Sequence, residues 1–388
     1  MRILFTGGGT GGHIYPIIAV AEELKILASL KNIQLGMYYL GAPGKYKNLL
    51  NENGIYVSKI FSAKLRRYFD IGNFIDIPFF FFSIPQALWK IFWLMPDVLF
   101  SKGGPGSLPV VLACRFYNIP IIVHESDSIP GLANKLAFYF ADRIGVSFSS
   151  VIENIIQQQK NKKKVEIIQE KIALVGNPIR QSLIGGDIID KETAKKVLGF
   201  NPTMSLILIL GGSQGSAQLN DFMLNISGEL VKDIQIFHQT GIENFQEVKN
   251  ELNNVLKKYG EEEKMRYKLI PYFENNMKDA YSAVDVVISR AGSGSIFEIA
   301  AFGKPSILIP LSEKIVGLHQ IKNAYEYSKS GAAIVIEQNN LKPNIFIAQL
   351  MKIIKNQELL KTMSEAAKSF SKPEASKMIA NEILRLAE

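Results

Sequence analysis

Apolar and polar positions along this chain follow two periods that take turns. Short, nearly continuous apolar runs at Ile3–Thr6, Gly36–Leu40, Val98–Ser101 and Ile121–Val123 read as strands buried on both faces. Each leads through a loop into a longer stretch with helical spacing, the first being Ile17–Leu27. That rhythm predicts a parallel sheet covered by helices. It restarts at Ser205–Leu210 and continues through Ile234–His238, Tyr267–Ile270, Val286–Ser289 and Ser306–Ile309. The chain therefore reads as α/β, with two doubly wound, Rossmann-like domains. Its 388 residues agree, since one ordinary core holds fewer and two domains of about 150–200 residues account for them. A boundary near Asn177–Gly186 gives a first domain over 1–180 and a second over 181–370. By analogy with other two-domain proteins of this plan, the amphipathic C-terminal helix Glu374–Leu386, within about 371–388, is expected to pack back on the first domain.

Two segments break the rhythm. Residues 156–170 are polar, with Gln157–Gln159, Lys160 and Lys162–Lys164, and suit a solvated loop or helix extension. Nucleic-acid binding is the weaker alternative there, because no aromatics are interleaved. Residues 74–100 are apolar but contain Asp76, Pro78, Pro85, Lys90, Pro96 and Asp97, which argues against a membrane-spanning helix. The aromatic runs Phe79–Phe82 and Ile91–Trp93 are flanked by Lys64, Arg66, Arg67 and Lys90. Aromatic and basic residues together suit the headgroup layer of an anionic bilayer, so the 64–93 region is a candidate membrane surface. The alternative is a helix buried beneath a loop.

With 47% hydrophobic and 21% charged residues the composition is globular. The single cysteine, Cys114, excludes an internal disulfide framework and reads as a small buried hydrophobe in a reducing, cytoplasmic compartment. The start, MRILFTGGGTGGH, lacks the features of a signal peptide, so the protein is expected to stay on the side where it is made. A net charge of +8 suits nucleic acid, an anionic membrane or a diphosphate substrate, and equally a merely well-solvated protein.

Four glycine-rich loops narrow the choice. Gly7–Gly12 matches G-x-G-x-x-G between a strand and a helix. A dinucleotide site would close the second strand with an acidic residue. Tyr38-Tyr39-Leu40-Gly41-Ala42 has none, which disfavours a redox cofactor. What survives is a backbone that a ligand can approach, at a helix N-terminus that favours negative charge. His13 stands at that turn as a candidate proton acceptor, or as a packing residue. Lys102–Ser107, Gly211–Ser216 and Arg290–Ser295 are further strand-loop-helix junctions, the first of them following Ser101. Glu298 lies one turn into the helix after the last, within reach of a ribose if the N–H groups hold phosphates. Two such loops in each domain argue for a phosphate-rich ligand in a cleft between domains. The histidines His13, His124, His238 and His319 have no metal-site spacing, and no phosphate-binding G-x-x-x-x-G-K-[ST] loop occurs.

In combination these motifs are specific. Gly7-Gly8-Gly9-Thr10-Gly11-Gly12-His13-Ile14-Tyr15-Pro16, His124-Glu125-Ser126-Asp127 with Pro130–Lys135, Gly176-Asn177-Pro178-Ile179-Arg180, Gly211–Gly215, Arg290-Ala291-Gly292 through Glu298, and His319-Gln320 with Asn323-Ala324 stand in one order. That series resembles the MurG family, UDP-N-acetylglucosamine transferases that convert lipid I to lipid II in peptidoglycan synthesis, over nearly the whole chain. The resemblance implies a GT-B architecture with an interdomain cleft, a C-terminal domain that holds UDP-GlcNAc, and no cofactor. It places Arg180, Ser213 and Gln214 against the nucleotide-sugar and Phe273 against the uracil. Ser293, Gly294 and Ser295 fall to the diphosphate, Glu298 to the ribose, and His319 and Gln320 to the sugar hydroxyls. Thr10, Gly11, Gly12 and Asn134 would contact donor sugar or acceptor, and the first two glycine loops the acceptor diphosphate. Many relatives carry Gln-Asn where this chain has Ser126-Asp127; a carboxylate only accepts hydrogen bonds, so Asp127 would hold the sugar differently, or Asn134 would take its place.

The reaction this implies is inverting displacement at the anomeric carbon by the 4-hydroxyl of a MurNAc-pentapeptide-pyrophosphoryl-undecaprenol acceptor, with His13 or else Glu125 as base. It places the protein peripherally on the cytoplasmic side of the bacterial inner membrane, with other cell-wall synthesis proteins as partners and no nucleic acid. A glycosyltransferase for another lipid, a UDP-sugar epimerase and a non-catalytic nucleotide-sugar sensor are the alternatives.

Overall fold

A computed structural model describes residues 1–61, 72–104, 106–157, 162–212, 215–273, 276–313 and 317–388; at 72–78 and 162–164 it describes the backbone only. The chain divides into two compact units, Met1–Gln181 with Lys372–Glu388, and Ser182–Ser371.

The first unit holds seven parallel strands: β1 (Arg2–Thr6), β2 (Gly36–Gly41), β3 (Ile55–Lys59), β4 (Val98–Ser101), β5 (Ile121–Glu125), β6 (Arg143–Val146) and β7 (Ile172–Leu174). Their spatial order is β3-β2-β1-β4-β5-β6-β7. The chain runs outward from β1 on one side and resumes with β4 on the other. The crevice beyond the ends of β1 and β4 is thus a topological switch point, where open α/β sheets bind ligands.

One face of this sheet is covered by the helix Gly11–Leu30, which buries Ile14, Ile17, Ile18, Ala21 and Leu24. The last helix, Ala375–Ala387, adds Ile379, Ala380, Ile383 and Leu384 to the same cluster. Burying each large aliphatic side chain contributes roughly 1.5–3 kcal/mol, which fixes the C-terminal helix to this unit. Ser376 Oγ donates to the Ile179 carbonyl at 2.9 Å and Arg143 Nε donates to Glu382 at 2.8 Å. The other face is covered by the helices Gly72–Leu94 and Ser107–Phe116, through Ala87, Ile91, Val110 and Val111.

The second unit holds six parallel strands: β8 (Leu206–Leu210), β9 (Gln235–Gln239), β10 (Tyr267–Ile270), β11 (Val286–Ser289), β12 (Ser306–Leu308) and β13 (Ala333–Val335). Their order is β10-β9-β8-β11-β12-β13, with the switch point between β8 and β11.

Set against the sequence expectation, some elements differ and others agree. The first helix starts at Gly11 rather than Ile17, with Pro16 inside it. The aromatic segment forms one 23-residue helix that runs on through Pro78 and Pro85. Among the described residues no helix is long and apolar enough to cross a membrane. The lysine-rich segment is helical over Lys162–Lys171.

Candidate active site

At the end of β1 the chain enters the first glycine loop. Tyr39, on neighbouring β2, donates its hydroxyl to the Gly7 carbonyl at 2.6 Å and pins the loop. Thr10 is the N-cap of the helix Gly11–Leu30 but does not cap it with its side chain. Its hydroxyl instead meets His13 Nδ1 at 2.8 Å. The backbone N–H of His13 donates to the Thr10 carbonyl at 3.0 Å, and the N–H groups of Gly11 and Gly12 at this helix N-terminus suit an anionic ligand. A Cβ at Gly12 would meet nothing within 4 Å, so packing does not require glycine there, whereas close approach of a ligand would.

The second glycine loop, after β4, faces the first. Gly103 and Gly104 have φ of +73° and +85°, where only glycine is unstrained. A Cβ at Gly104 would lie 2.8 Å from His13 Nε2, and one at Gly103 would fall on the Asn134 amide, 2.5 Å from its Cγ. The loop backbone is thus shaped to admit His13 and Asn134. Thr10 thus holds the ring at Nδ1, and Nε2 faces this loop. Burial, followed by the Lys102 charge, pushes the His13 pKa down to about 4, while Asp127 opposes the change. The imidazole is therefore neutral near pH 7 and able to accept a proton.

Glu125 ends β5. Its Oε1 accepts the Asp127 N–H at 2.9 Å; its Oε2 accepts the Gly131 N–H at 3.1 Å and Asn134 Nδ2 at 2.9 Å. Burial and the neighbouring Asp127 raise its pKa. Both oxygens are thus engaged in shaping the loop that carries Asp127. Asn134 Oδ1 is buried and has no partner among the described residues.

Beneath these groups lies Lys102, 2% exposed. Its ammonium donates to His124 Nδ1 at 2.6 Å, to Ser126 Oγ, and to Asn177 Oδ1 at 3.3 Å. His124 Nε2 donates in turn to the Gly176 carbonyl at 2.8 Å, and Ser126 Oγ donates to Asn177 Oδ1 at 3.0 Å. The cluster joins the ends of β4, β5 and β7. Gly145, paired with His124 across β5 and β6, leaves room for the imidazole, since a Cβ there would meet the ring at 3.1 Å. Arg180 stacks its guanidinium 4.5 Å over the Tyr15 ring.

In the second unit, Ser213 and Gln214 lie outside the described residues. The helix Ser293–Ala301 begins after Gly292, which is extended and provides no side-chain cap. A Cβ at Gly292 would meet nothing within 4 Å, as at Gly12. Half-buried Gly294 and Ser295 and buried Ser293 form the first turn of this helix, an N-terminus suited to an anion. Arg290 fixes the surrounding loops. Its Nη2 and Nε reach Ser216 Oγ at 2.7 and 3.2 Å, and its Nη1 reaches the Ile309 carbonyl and Gln338 Oε1, both at 3.1 Å. The loops after β8, β11, β12 and β13 therefore share one guanidinium. Gln320 Oε1 accepts the Leu311 N–H at 3.1 Å, and Asn323 Nδ2 donates to the Ala291 carbonyl at 3.4 Å, bringing His319 and Gln320 to this end of the sheet. Glu298 is half-buried and accepts the Tyr281 hydroxyl at 3.2 Å. Phe273 is 5% exposed, with its ring edge-on to Phe237 at 4.9 Å, so it presents almost no face for a base to stack on.

The helix Gly72–Leu94 carries an exposed aromatic face. Trp89 and Trp93 are 65% and 68% exposed, and Phe81, Phe82 and Phe92 are also exposed. Ring contacts run from Trp89 through Trp93, Phe92 and Tyr117 to Phe116. Lys90 is turned back, donating to Ser58 Oγ at 2.7 Å and the Lys59 carbonyl at 2.8 Å. Lys64, Arg66 and Arg67 lie outside the described residues. Among the described residues no group of three or more His, Cys, Asp or Glu is arranged to share a metal ion.

Sequence reasoning identified His13, Glu125, Asp127 and Asn134, which meet in one place, but gave no role to Lys102, Asn177 or Arg290. The signal for Lys102 was a lysine directly after the apolar run Val98–Phe100 and Ser101, and directly before a glycine pair.

Comparison with known proteins gives the family and the fold. Residues 3–146 match the glycosyltransferase family 28 N-terminal domain and residues 206–379 its C-terminal domain. A Clostridium tetani protein named UDP-N-acetylglucosamine–N-acetylmuramyl-(pentapeptide) pyrophosphoryl-undecaprenol N-acetylglucosamine transferase is 35% identical, over 92% of this chain and 91% of its own. A Lactobacillus acidophilus protein of the same name is 35% identical over 98% of both. The crystal structure of Acinetobacter baumannii MurG superposes with a TM-score of 0.72 at 22% identity, over 99% of both chains. UDP-GlcNAc 2-epimerase from Neisseria meningitidis shares the fold at a TM-score of 0.66 and 13% identity, over 99% of this chain and 100% of that one. The chain belongs to glycosyltransferase family 28 and, within it, to the MurG family of N-acetylglucosamine transferases.

Proposed function

We propose that this chain transfers GlcNAc from UDP-GlcNAc to the 4-hydroxyl of a MurNAc-pentapeptide-pyrophosphoryl-undecaprenol acceptor, with inversion, and that His13 is the base. The observation that carries the reading is the position of the His13 ring, held at Nδ1 by Thr10 at the switch point of the first unit with Nε2 facing the second glycine loop. Glu125 is the weaker candidate, because three N–H donors already occupy its oxygens. It acts instead by holding Asp127 and Asn134 in place.

In this mechanism the acceptor oxygen attacks the anomeric carbon, its proton passes to His13 Nε2, and the bond from that carbon to the phosphate oxygen breaks. UDP leaves carrying the electron pair. The first turn of the helix Ser293–Ala301 stabilises the diphosphate charge, Ser293, Gly294 and Ser295 lining it, with Glu298 at the ribose and His319 and Gln320 at the sugar. Thr10, Gly11, Gly12, Asp127, Asn134 and Arg180 hold the acceptor and the transferred sugar. The first unit binds the acceptor and the second the donor. The exposed face around Trp89 and Trp93 supports peripheral binding of the first unit to an anionic bilayer.

The test supplies labelled UDP-GlcNAc and a short-chain lipid-linked acceptor to the purified protein. Acceptor-dependent GlcNAc transfer that falls about a hundredfold or more in His13→Ala supports the reading. Full turnover in that variant with an unchanged pH profile would remove His13 from the mechanism.

A further inference from the structure

Strand β9 ends in a buried amide. Alternate residues of a strand share a face of the sheet, so Gln235, Phe237 and Gln239 lie on one side of β9 and Ile236 and His238 on the other. Gln239 is 4% exposed. A side-chain amide withdrawn from water is costly unless its donor and its acceptor both find partners, and leucine or methionine would end the strand without that cost. Gln239 meets the condition with backbone alone. Its Nε2 donates to the Gly212 carbonyl at 3.2 Å, and its Oε1 accepts the Phe273 N–H at 3.3 Å. These partners fix which way the amide points, because a carbonyl only accepts and an N–H only donates.

The two partners belong to different loops. Gly212 follows β8 and stands in the third glycine loop. Its φ of +90° suits glycine alone, and a Cβ there would meet nothing within 4 Å, as at Gly12 and Gly292. Its carbonyl also accepts the Gly215 N–H at 3.1 Å. Gly215 lies against the exit of β9, where a Cβ on it would collide with the Thr240 carbonyl. Phe273 follows β10. With its ring turned onto Phe237, it contributes a fixed backbone to this end of the sheet. Just beyond Gln239, the Thr240 and Gly241 N–H groups donate to the Ile270 and Pro271 carbonyls, both at 3.0 Å. The end of β9 is thus a splint between the loop after β8 and the segment after β10, and Gln239 is the side chain that joins the two.

We propose that Gln239 is a positioning residue of the donor site: its amide holds the third glycine loop and the Tyr272–Phe273 backbone at one fixed spacing, so that both ends of a nucleoside diphosphate are engaged together. The inference rests on the proposed binding of UDP-GlcNAc by the second unit, with that loop at the nucleotide-sugar and the Phe273 segment at the uracil. Gln239 acts through the two backbones. A ligand that engages only one of them gains nothing from the splint.

Gln235 supplies the matched control. It stands at the other end of the same strand, is 3% exposed and also bridges backbone: its Oε1 accepts the Asn201 N–H at 2.7 Å, and its Nε2 donates to the Asn201 carbonyl at 2.9 Å and the Met204 carbonyl at 3.4 Å. The experiment compares wild type with Gln239→Met, Gln239→Asn and Gln235→Met. It reads UDP and ADP affinity by calorimetry, the donor KM and kcat of GlcNAc transfer, and urea unfolding by circular dichroism. Gln239→Met should weaken UDP about tenfold or more and ADP by less, and should raise the donor KM while kcat at saturating donor stays within about threefold. Gln235→Met should lose at least as much stability and keep UDP affinity within about twofold. Gln239→Asn keeps the amide but is one carbon too short to reach both loops; it should weaken UDP as Gln239→Met does, and it decides if that variant does not fold. UDP affinity within twofold of wild type in the Gln239 variants, an equal loss for UDP and ADP, or an equal loss in Gln235→Met would overturn the inference. A wild type that binds no UDP would instead refute the functional reading on which it rests.

Discussion

Replacing Gly103 by alanine separates the architecture of the site from its chemistry. Two costs follow from the structure. An L-residue at φ +73° carries roughly 1–2 kcal/mol of backbone strain. The new methyl group would also fall within 2.5–2.6 Å of the Asn134 Cγ and Nδ2 and force that amide out. Asn134 then loses its bonds to Glu125 Oε2 (2.9 Å) and to the His124 carbonyl (3.3 Å). The first, to a charged group, contributes about 1.5–3 kcal/mol and the second about 1 kcal/mol. Gly103→Ala should therefore destabilise the first unit by roughly 3.5–6 kcal/mol. Gly12→Ala is the matched control: its methyl meets nothing, and in a helical first turn it should be neutral or stabilise by up to about 1 kcal/mol. On the proposed reading that a ligand approaches Gly12, the control should lose transfer activity while keeping its stability. Urea unfolding followed by tryptophan fluorescence reads the first unit, since the chain's two tryptophans, Trp89 and Trp93, are both in it. Gly103→Ala within about 1 kcal/mol of wild type, or Gly12→Ala as unstable as Gly103→Ala, would refute the reasoning.

The second unit and the surface give further tests. Arg290→Lys removes the fork that ties Ser216, Ile309 and Gln338 together and should weaken UDP-GlcNAc binding by about 30-fold or more by calorimetry, with acceptor binding unchanged. Burial pushes the His238 pKa down to about 3, so the folded state keeps it neutral while the unfolded chain takes up a proton near pH 6.5. This group leaves stability intact above pH 6.5 and reduces it by about 1.4 kcal/mol per pH unit as pH falls from there to about 3; His238→Gln should flatten that slope in acid unfolding of the second unit. Trp89→Ser with Trp93→Ser should reduce partitioning onto anionic vesicles by about tenfold or more in a flotation assay, while transfer to a water-soluble acceptor analogue is retained.

The alternation of apolar runs with helical spacing located β1, β2, β4 and β5 and most of the second sheet, because strands buried on both faces are apolar at every position. It did not show β3, where Tyr56, Ser58 and Lys59 face solvent at a sheet edge, nor β6, whose run is broken by Arg143 and Gly145, nor β7 and β13, short and partly exposed strands at the other sheet edges. The first helix was read late because Gly11 and Gly12 hide its first turn, which tertiary packing and not propensity maintains. The glycine loops announced where a ligand would come. They could not announce Lys102, whose meaning depends on Asn177 and His124 arriving from distant parts of the chain. The aromatic segment was legible as a surface; of its expected basic flank, Lys90 bonds to Ser58 and Lys59, and Lys64, Arg66 and Arg67 lie outside the described residues.

The most direct test of the account is acceptor-dependent release of UDP, measured together with the lipid product by mass spectrometry. The account predicts one UDP released for each GlcNAc joined to the lipid-linked MurNAc acceptor, and none without the acceptor. Consumption of UDP-GlcNAc in the absence of any lipid, or tight binding of UDP-GlcNAc with no disaccharide formed, would contradict it.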